Sequence, residues 1–400
     1  MLEKPGGGPI LGYVEGPTTP SSPLMKAILV FFHVPSNTGY AIATCERVFW
    51  RMAKRLVDVD DIHFAYTSLS GGRPTTLPED FHNVIAFDPT TRDRQELDDL
   101  GAYVRTHDID VAFGFDQPVQ GRPCYRAMRD AGVKTLVSYW GAPMSSINRG
   151  PKLWAKRIEV ALRHGPDHYI FESEAMRDTA THGRGVPARA TTVVYLSVDP
   201  SVFTPDRPSF DFGRLGVPEG RKVILFSGHV GERRKGCDVL VKAAMRLSRE
   251  RADFQVVLCG NKGSEADWLV DIVGNHPARE HVTFAGYRSD LSEIMPSCYL
   301  GVIPSTGWDS FTMSSLELQA SGVPLLVSDL QGLPEAIEQD RTGMTFPPGD
   351  DAALAEALVS LLDDPERRDR MGKAARARIV DGFSLDHQTD RLVTTLRSLG

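Results

Sequence analysis

The chain has 400 residues, 41% of them hydrophobic and 24% charged, an ordinary globular composition with length enough for two domains. Its formal net charge of -7 argues against a general nucleic-acid binder. Five scattered cysteines (Cys45, Cys124, Cys237, Cys259, Cys298), odd in number and without a CxxC pair, suggest neither a disulfide framework nor a zinc site and point to the reduced cytosol.

Residues 1–24, MLEKPGGGPILGYVEGPTTPSSPL, are rich in Pro and Gly and lack the charged start and apolar core of a signal peptide, so they read as a disordered tail. No apolar run approaches the roughly 20 residues that a membrane-spanning helix needs. From Lys26 onward, KAILVFFH, IHFAYTSL, NVIAF, VAFGF, KTLVSYW and HYIFES alternate with amphipathic stretches, the first of which puts Ile42, Cys45, Phe49, Met52 and Leu56 on one face. Strand followed by helix, repeated, implies a parallel sheet covered on both sides, a Rossmann-like domain over 25–200. Gly39, in SNTGYAIATCERVF, sits where backbone can approach an anionic ligand at a helix N-terminus, although a glycine there serves a tight turn equally well. DVD at 58–60 and DID at 108–110 resemble a DxD metal motif, but both precede their strands, at the amino edge of the sheet, so no essential metal is expected. PKLWAKRIEVALR, 151–163, sets Lys152, Lys156, Arg157 and Arg163 opposite Leu153, Trp154, Ile158 and Leu162. A core-facing helix with a solvated basic face is the favoured reading, and a helix resting on a membrane surface is the other.

The Pro- and Gly-rich segment 195–221, YLSVDPSVFTPDRPSFDFGRLGVPEGR, marks a domain boundary. A second series of buried-strand runs follows over 215–383: KVILFS, FQVVLCG, HVTFAG, CYLGVIPS and VPLLVS, with residues 384–400 expected as a terminal helix returning to the first domain. Ligands of open α/β sheets bind outside the carboxyl ends of the strands, and two such edges facing each other make a cleft. GHVGERRKG at 228–236 gathers Arg233, Arg234 and Lys235 beside glycines at such an edge. A solvated basic loop is the commoner fate of such a run, but its position facing the cleft favours a phosphate. FAGYRSDLSEIMPS at 284–297 puts Tyr287 and Arg288 after a strand, where an aromatic or guanidinium face can stack on a base, or simply form a surface turn.

WDSFTMSSLE, 308–317, places Asp309 and Glu317 eight residues apart with no other charge between them. A helix from about Phe311 to Ser321 has its apolar stripe on Met313, Leu316 and Ala320, and Glu317 falls inside that stripe. The segment therefore offers an acid, then free backbone N–H groups, then a second acid roughly 12 Å further on. A ligand with a hydroxyl, a diphosphate and a diol in line matches that order.

GERRKG, FAGYRSDLSEIMPSCYLGVIPS and DSFTMSSLELQASGVPLLVSDLQGLPE, in that order and spacing, resemble the C-terminal domain of the retaining GT-B glycosyltransferases of family four, and the likeness extends over most of the chain. The resemblance implies a GT-B fold, two Rossmann-like domains facing across a cleft. It also implies an E-x7-E motif in which Asp309 takes the place near the donor sugar and Glu317 holds the ribose. Ser310, Phe311, Thr312 and Met313 supply amides to the diphosphate, and Lys235 steadies it. Catalysis would rest on Lys235, Arg234 and Asp309, with Gly39, Gly228, His229, Arg233, Tyr287 and Arg288 also on the donor. Asp309 stands where the family more usually has Glu, and His229 where it commonly has Arg. The family's frequent histidine of the N-terminal domain corresponds to SYWGAP, which puts Tyr139, Trp140 and Gly141 on the acceptor side and leaves His33 as the fallback, with packing or capping its favoured role.

The implied activity is transfer of a sugar, with retention, from a nucleoside diphosphate sugar of UDP or GDP type to an acceptor hydroxyl. No cofactor is expected besides that co-substrate, and the location is cytoplasmic, with peripheral membrane contact left open. A GT-B sugar-nucleotide 2-epimerase or phosphorylase is the enzymatic alternative. A non-catalytic sugar-nucleotide binding protein is the alternative of another class.

Overall fold

The computed structural model describes residues 25–116, 122–141, 147–162, 165–260 and 263–400. The expected tail, 1–24, and Arg163 lie outside these residues. The first sheet contains β1 (Ile28–Phe32), β2 (Ile62–Tyr66), β3 (Val84–Ala86), β4 (Val111–Phe115), β5 (Thr135–Trp140), β6 (His168–Phe171) and β7 (Thr191–Val193). All pairs are parallel, in the order β3-β2-β1-β4-β5-β6-β7. Around it run α1 (Tyr40–Ala53), α2 (Arg94–Thr106), α3 (Pro123–Ala131), α4 (Pro151–Leu162) and α5 (Glu174–Gly183). The second sheet holds β8 (Lys222–Ser227), β9 (Phe254–Cys259), β10 (Val282–Gly286), β11 (Leu300–Ile303), β12 (Leu325–Ser328) and β13 (Gly343–Phe346), again parallel, in the order β10-β9-β8-β11-β12-β13. Its helices are α6 (Cys237–Leu247), α7 (Asp267–Val273), α8 (Leu291–Ile294), α9 (Met313–Ala320), α10 (Asp351–Leu362) and α11 (Pro365–Gly382), and α12 (Leu385–Arg397) ends the chain.

Strands covered by helices on both faces are apolar along their whole length, which is why ILVFF of β1 and FQVVLC of β9 are buried at every position. The eleven apolar runs read as strands all form strands. The two that sequence reading missed, β7 and β13, are short edge strands whose TTV and GMTF are mostly half-buried and so carry no apolar run. DVD and DID do lie at the amino edge, just before β2 and β4.

Helix α12 lies on the first domain: Arg51 pairs with Asp386 at 3.2 Å, Arg397 donates to the Arg55 carbonyl at 3.0 Å, and Gln388 donates to the Tyr139 hydroxyl at 3.1 Å. Helix α4 departs from the favoured core-facing reading, because Trp154 is 67% and Ile158 39% exposed. The helix approaches its neighbours through backbone: a Cβ on Gly185 would stand 3.1 Å from the Arg157 nitrogen. That contact uses the side of Lys156 and Arg157 and turns Trp154 outward.

Candidate active site

The carboxyl edges of the two sheets meet. Ser173, just past β6, and Ser310, past β11, share a hydrogen bond of 2.6 Å between hydroxyls. Beside them, Glu335 of the second domain accepts from the backbone amides of Glu174 and Ala175 at the start of α5, both at 2.8 Å, and from the Tyr195 hydroxyl at 2.9 Å. The negative carboxylate there complements the positive end of the helix dipole. Three bonds to one charged group tie the domains together, and Glu335→Ala is expected to lower stability by about 2 to 3 kcal/mol. Urea unfolding would read this loss, and an unchanged midpoint would mean that the contact is solvated in solution.

On the second domain, loop 228–236 lies directly on loop 304–309. Gly236 makes this possible: its φ is 68°, and a Cβ there would stand 1.8 Å from the Pro304 carbonyl oxygen. The close approach brings the Lys235 Nζ to 2.8 Å from Asp309 Oδ2, which also accepts from the Ser305 hydroxyl at 2.6 Å. Asp309 Oδ1 accepts from the Ser310 amide at 3.0 Å, and the Asp309 amide donates to Gln331 Oε1 at 2.8 Å. The acid is buried and its direct partners are protein groups, with Lys235 foremost.

Helix α9 starts two residues later than the sequence suggests. Thr312 is its N-cap, with its hydroxyl accepting from the Ser315 amide at 3.3 Å. The Ser310 amide is consumed by Asp309, and Phe311 precedes the helix with its ring buried between Tyr195 and Phe383, 4.9 and 5.5 Å away. Of the expected amide set from Ser310 to Met313, the Ser310 amide is thus engaged, while those of Phe311 and Thr312 have no protein acceptor among the described residues. The first-turn amides of Met313 and Ser314 have no protein acceptor among the described residues, as the geometry of a helix start requires. The Ser314 hydroxyl donates to the Ser227 carbonyl at 2.8 Å, fixing this end of α9 to the end of β8.

Glu317, one turn along α9, is 3% exposed, and its Oε1 has no hydrogen-bond partner among the described residues. Burial raises its pKa to about 7, partly opposed by the nearby hydroxyl of Tyr40, the first residue of α1 across the cleft. Burial and the Glu317 charge together push the Tyr40 phenol well up. Gly39 caps α1 at φ 125°, and nothing lies within 4 Å of where its Cβ would be, so the helix start is open.

The other predicted donor residues are placed less uniformly. Arg234 lies flat over the Trp308 ring at 3.7 Å, donates to the Trp308 carbonyl at 2.9 Å and pairs with Glu232. Arg233 covers Trp268 at 4.7 Å. Gly228 ends β8 with its carbonyl against Gly260, and His229 beside it is exposed. Tyr287 is exposed at the end of β10, and Arg288 is forked onto Asp290, with Nε 2.8 Å from Oδ1, a bond that uses the edge of the guanidinium and not its faces.

Two acceptor-side residues are also corrected. Tyr139 and Trp140 belong to a central strand sealed on both faces; the Trp140 indole donates to the Ser138 hydroxyl at 2.9 Å. Only Gly141 reaches the carboxyl edge, packed so that a Cβ would be 2.5 Å from the Phe115 ring. His33, exposed at the carboxyl end of β1, has Nδ1 2.5 Å from the Phe115 carbonyl oxygen and its ring stacked on Phe115 at 5.6 Å.

Sequence reading missed Glu172, Ser173, Glu335, Gln331 and Tyr40. Glu172 is buried beside Gly141 and its carboxyl is raised to about 8, chiefly by desolvation, so a neutral acid underlies the first domain's edge of the cleft. The signal available for Glu172 and Ser173 was their place at the carboxyl end of the HYIFES run. Glu335 and Tyr40 gave none, because their partners are far away in sequence.

Two parallel sheets meeting at their carboxyl edges, with a lysine and a free helix start on one side, define a two-domain GT-B protein. A glycosyltransferase from Rickettsia africae superposes with a TM-score of 0.77 at 16% identity, over 94% of this chain and 98% of its own. Anabaena HepE in complex with UDP superposes with a TM-score of 0.74 at 19% identity, over 93% and 100%; both share the fold. A D-inositol 3-phosphate glycosyltransferase of Arthrobacter is 36% identical over 348 residues, 77% of this chain and 79% of that protein. A glycogen synthase of Mycobacterium tuberculosis is 31% identical over 236 residues, 58% of this chain, which spans about half (54%) of that relative's length. Residues 209–378 match the model of the family described as glycosyl transferases group 1, and the chain belongs to that family.

Proposed function

We propose that the chain transfers a sugar from a nucleoside diphosphate sugar, of UDP or GDP type, to an acceptor hydroxyl with retention at the anomeric carbon. The observation that carries the reading is the row formed by Lys235 on Asp309, the unpaired amides of Met313 and Ser314, and the buried Glu317 with a free oxygen. In that row the ribose hydroxyls donate to Glu317, the diphosphate lies on the amides and Lys235, and the sugar lies towards Asp309. As the bond from the anomeric carbon to the diphosphate oxygen breaks, negative charge grows where Lys235 and the amides stand ready, a preorganisation worth several kcal/mol. The acceptor oxygen bonds to the same carbon from the same face and its proton passes to the leaving diphosphate, so atoms and charge balance without a protein nucleophile. Retention rests on the resemblance to family four. The relatives named D-inositol 3-phosphate glycosyltransferase and the UDP complex of HepE support the donor class.

The test is incubation with a panel of nucleotide sugars and acceptor alcohols, scored by mass spectrometry for product and by release of nucleoside diphosphate. Diphosphate released in proportion to a glycosylated product, with the anomeric configuration kept in its NMR coupling, is the expected result. An isomerised nucleotide sugar, or a sugar phosphate formed with inorganic phosphate, without release of diphosphate in proportion to a glycosylated product points to the epimerase or phosphorylase, and donor binding without turnover points to a binding protein. EDTA is expected to leave the rate unchanged, since Lys235 and helix amides neutralise the leaving group. Loss with EDTA and recovery with magnesium or manganese would overturn that assignment.

A further inference from the structure

At the end of the first domain away from the cleft, a cavity of about 860 Å³ lies between α4, α5 and the amino ends of β6 and β7. Val160, Tyr169 and Val186 give it apolar walls, and Arg129, Arg157 and Arg189 stand in its lining. Arg129 is engaged, with Asp167 at 2.8 Å and with the Gly165 carbonyl at 3.1 Å. Arg157 and Arg189 are exposed and have no ion-pair partner among the described residues. Helix α4, which forms one wall, presents Trp154 and Ile158 outward, and Ile147, just before it, is 46% exposed. Residues 147–162 carry Arg149, Lys152, Lys156 and Arg157 against one acid, Glu159, which is already paired with Lys156 at 3.0 Å. In a chain whose formal net charge is -7, this end is locally positive and locally apolar.

We propose that α4 and the arginine-lined cavity behind it form a docking surface for a bilayer containing anionic phospholipid. Trp154 and Ile158 enter the interfacial zone, where an indole is favoured because its ring is apolar and its N–H stays wet. Arg157 and Arg189 meet headgroup phosphates, which their planar guanidinium forks match. A protein partner fits less well. Stable protein interfaces bury about 800 Å² on each side around a desolvated apolar centre, whereas here single large side chains are separated by cations. The surface lies at the opposite edge of the sheet from the candidate active site, so the proposal stands whether or not the transfer reaction does.

The test uses the full chain with sucrose-loaded vesicles of phosphatidylcholine, with and without phosphatidylglycerol, and measures cosedimentation at low and high salt. Binding is expected to be at least ~10-fold stronger to the anionic vesicles and to weaken steeply with salt. Trp154→Ala combined with Ile158→Ala should lower it by a further ~10-fold, from loss of buried apolar area. Arg157→Gln with Arg189→Gln should remove the preference for anionic lipid. Because all four side chains are exposed, melting temperature and nucleoside diphosphate binding should stay at wild-type values in both variants. No binding to either vesicle, equal binding to both, or binding untouched by the paired substitutions would overturn the proposal. Dimerisation in sedimentation equilibrium that disappears with Trp154→Ala would also overturn it and assign the face to a second copy of the chain.

Discussion

Replacing Lys235 by alanine is expected to lower turnover by at least ~100-fold, because its charge matters most as the leaving diphosphate becomes negative. The structure adds a second effect. Lys235 and Asp309 are 16% and 7% exposed in their side chains, and removing the cation leaves a buried carboxylate supported, among the described residues, by the Ser305 hydroxyl and the Ser310 amide. Breaking such a pair from one side costs about 3 kcal/mol. The two effects separate in Lys235→Ala combined with Asp309→Asn, which removes the orphaned charge. The double variant should regain most of the lost melting temperature while turnover stays at or below the level of Lys235→Ala, since Asp309 also faces the donor sugar. If turnover returns with stability, Lys235 only holds the loop and takes no part in the reaction.

Glu317→Gln should weaken nucleoside diphosphate binding by about 10- to 100-fold, through the loss of hydrogen bonds from the ribose to a charged group. Isothermal calorimetry reads this directly. The same substitution should stabilise the ligand-free protein above pH 7. Burial raises the Glu317 carboxyl from 4.5 to about 7, so between those values the folded chain holds a proton that the unfolded chain has released. Wild-type stability therefore falls as pH rises through that window, by about 3 kcal/mol once both forms are ionised. Glutamine does not titrate and lacks this contribution to the slope. Nucleotide affinity should rise in the opposite sense, increasing as the pH passes 7, since the ribose hydroxyls donate to the ionised form. A variant that loses melting temperature at every pH while keeping its affinity would make Glu317 a structural acid.

Local rules of the chain were enough for the architecture. Continuous apolar runs such as ILVFF and LGVI, separated by helical periods, can only be strands buried on both faces, and that pattern alone implies two parallel sheets with ligands at their carboxyl edges. An acid inside the apolar stripe of α9 was equally legible, because burial of Glu317 follows from helical spacing. What tertiary structure decided was which groups meet. Lys235 and Asp309 are 74 residues apart, Glu335 reaches α5 across 161, and neither pairing has a local signature, since each depends on how one sheet edge is laid on another. The same holds for faces. Tyr139 and Trp140 lie at the end of an apolar run, and sequence cannot distinguish a ring that lines a cleft from one sealed beneath it, whereas Trp154 and Ile158 have core-like spacing yet face outward because α4 packs through its backbone onto Gly185. Periodicity states how apolar a surface is, but burial requires a partner, and the partner is supplied only when the chain has folded.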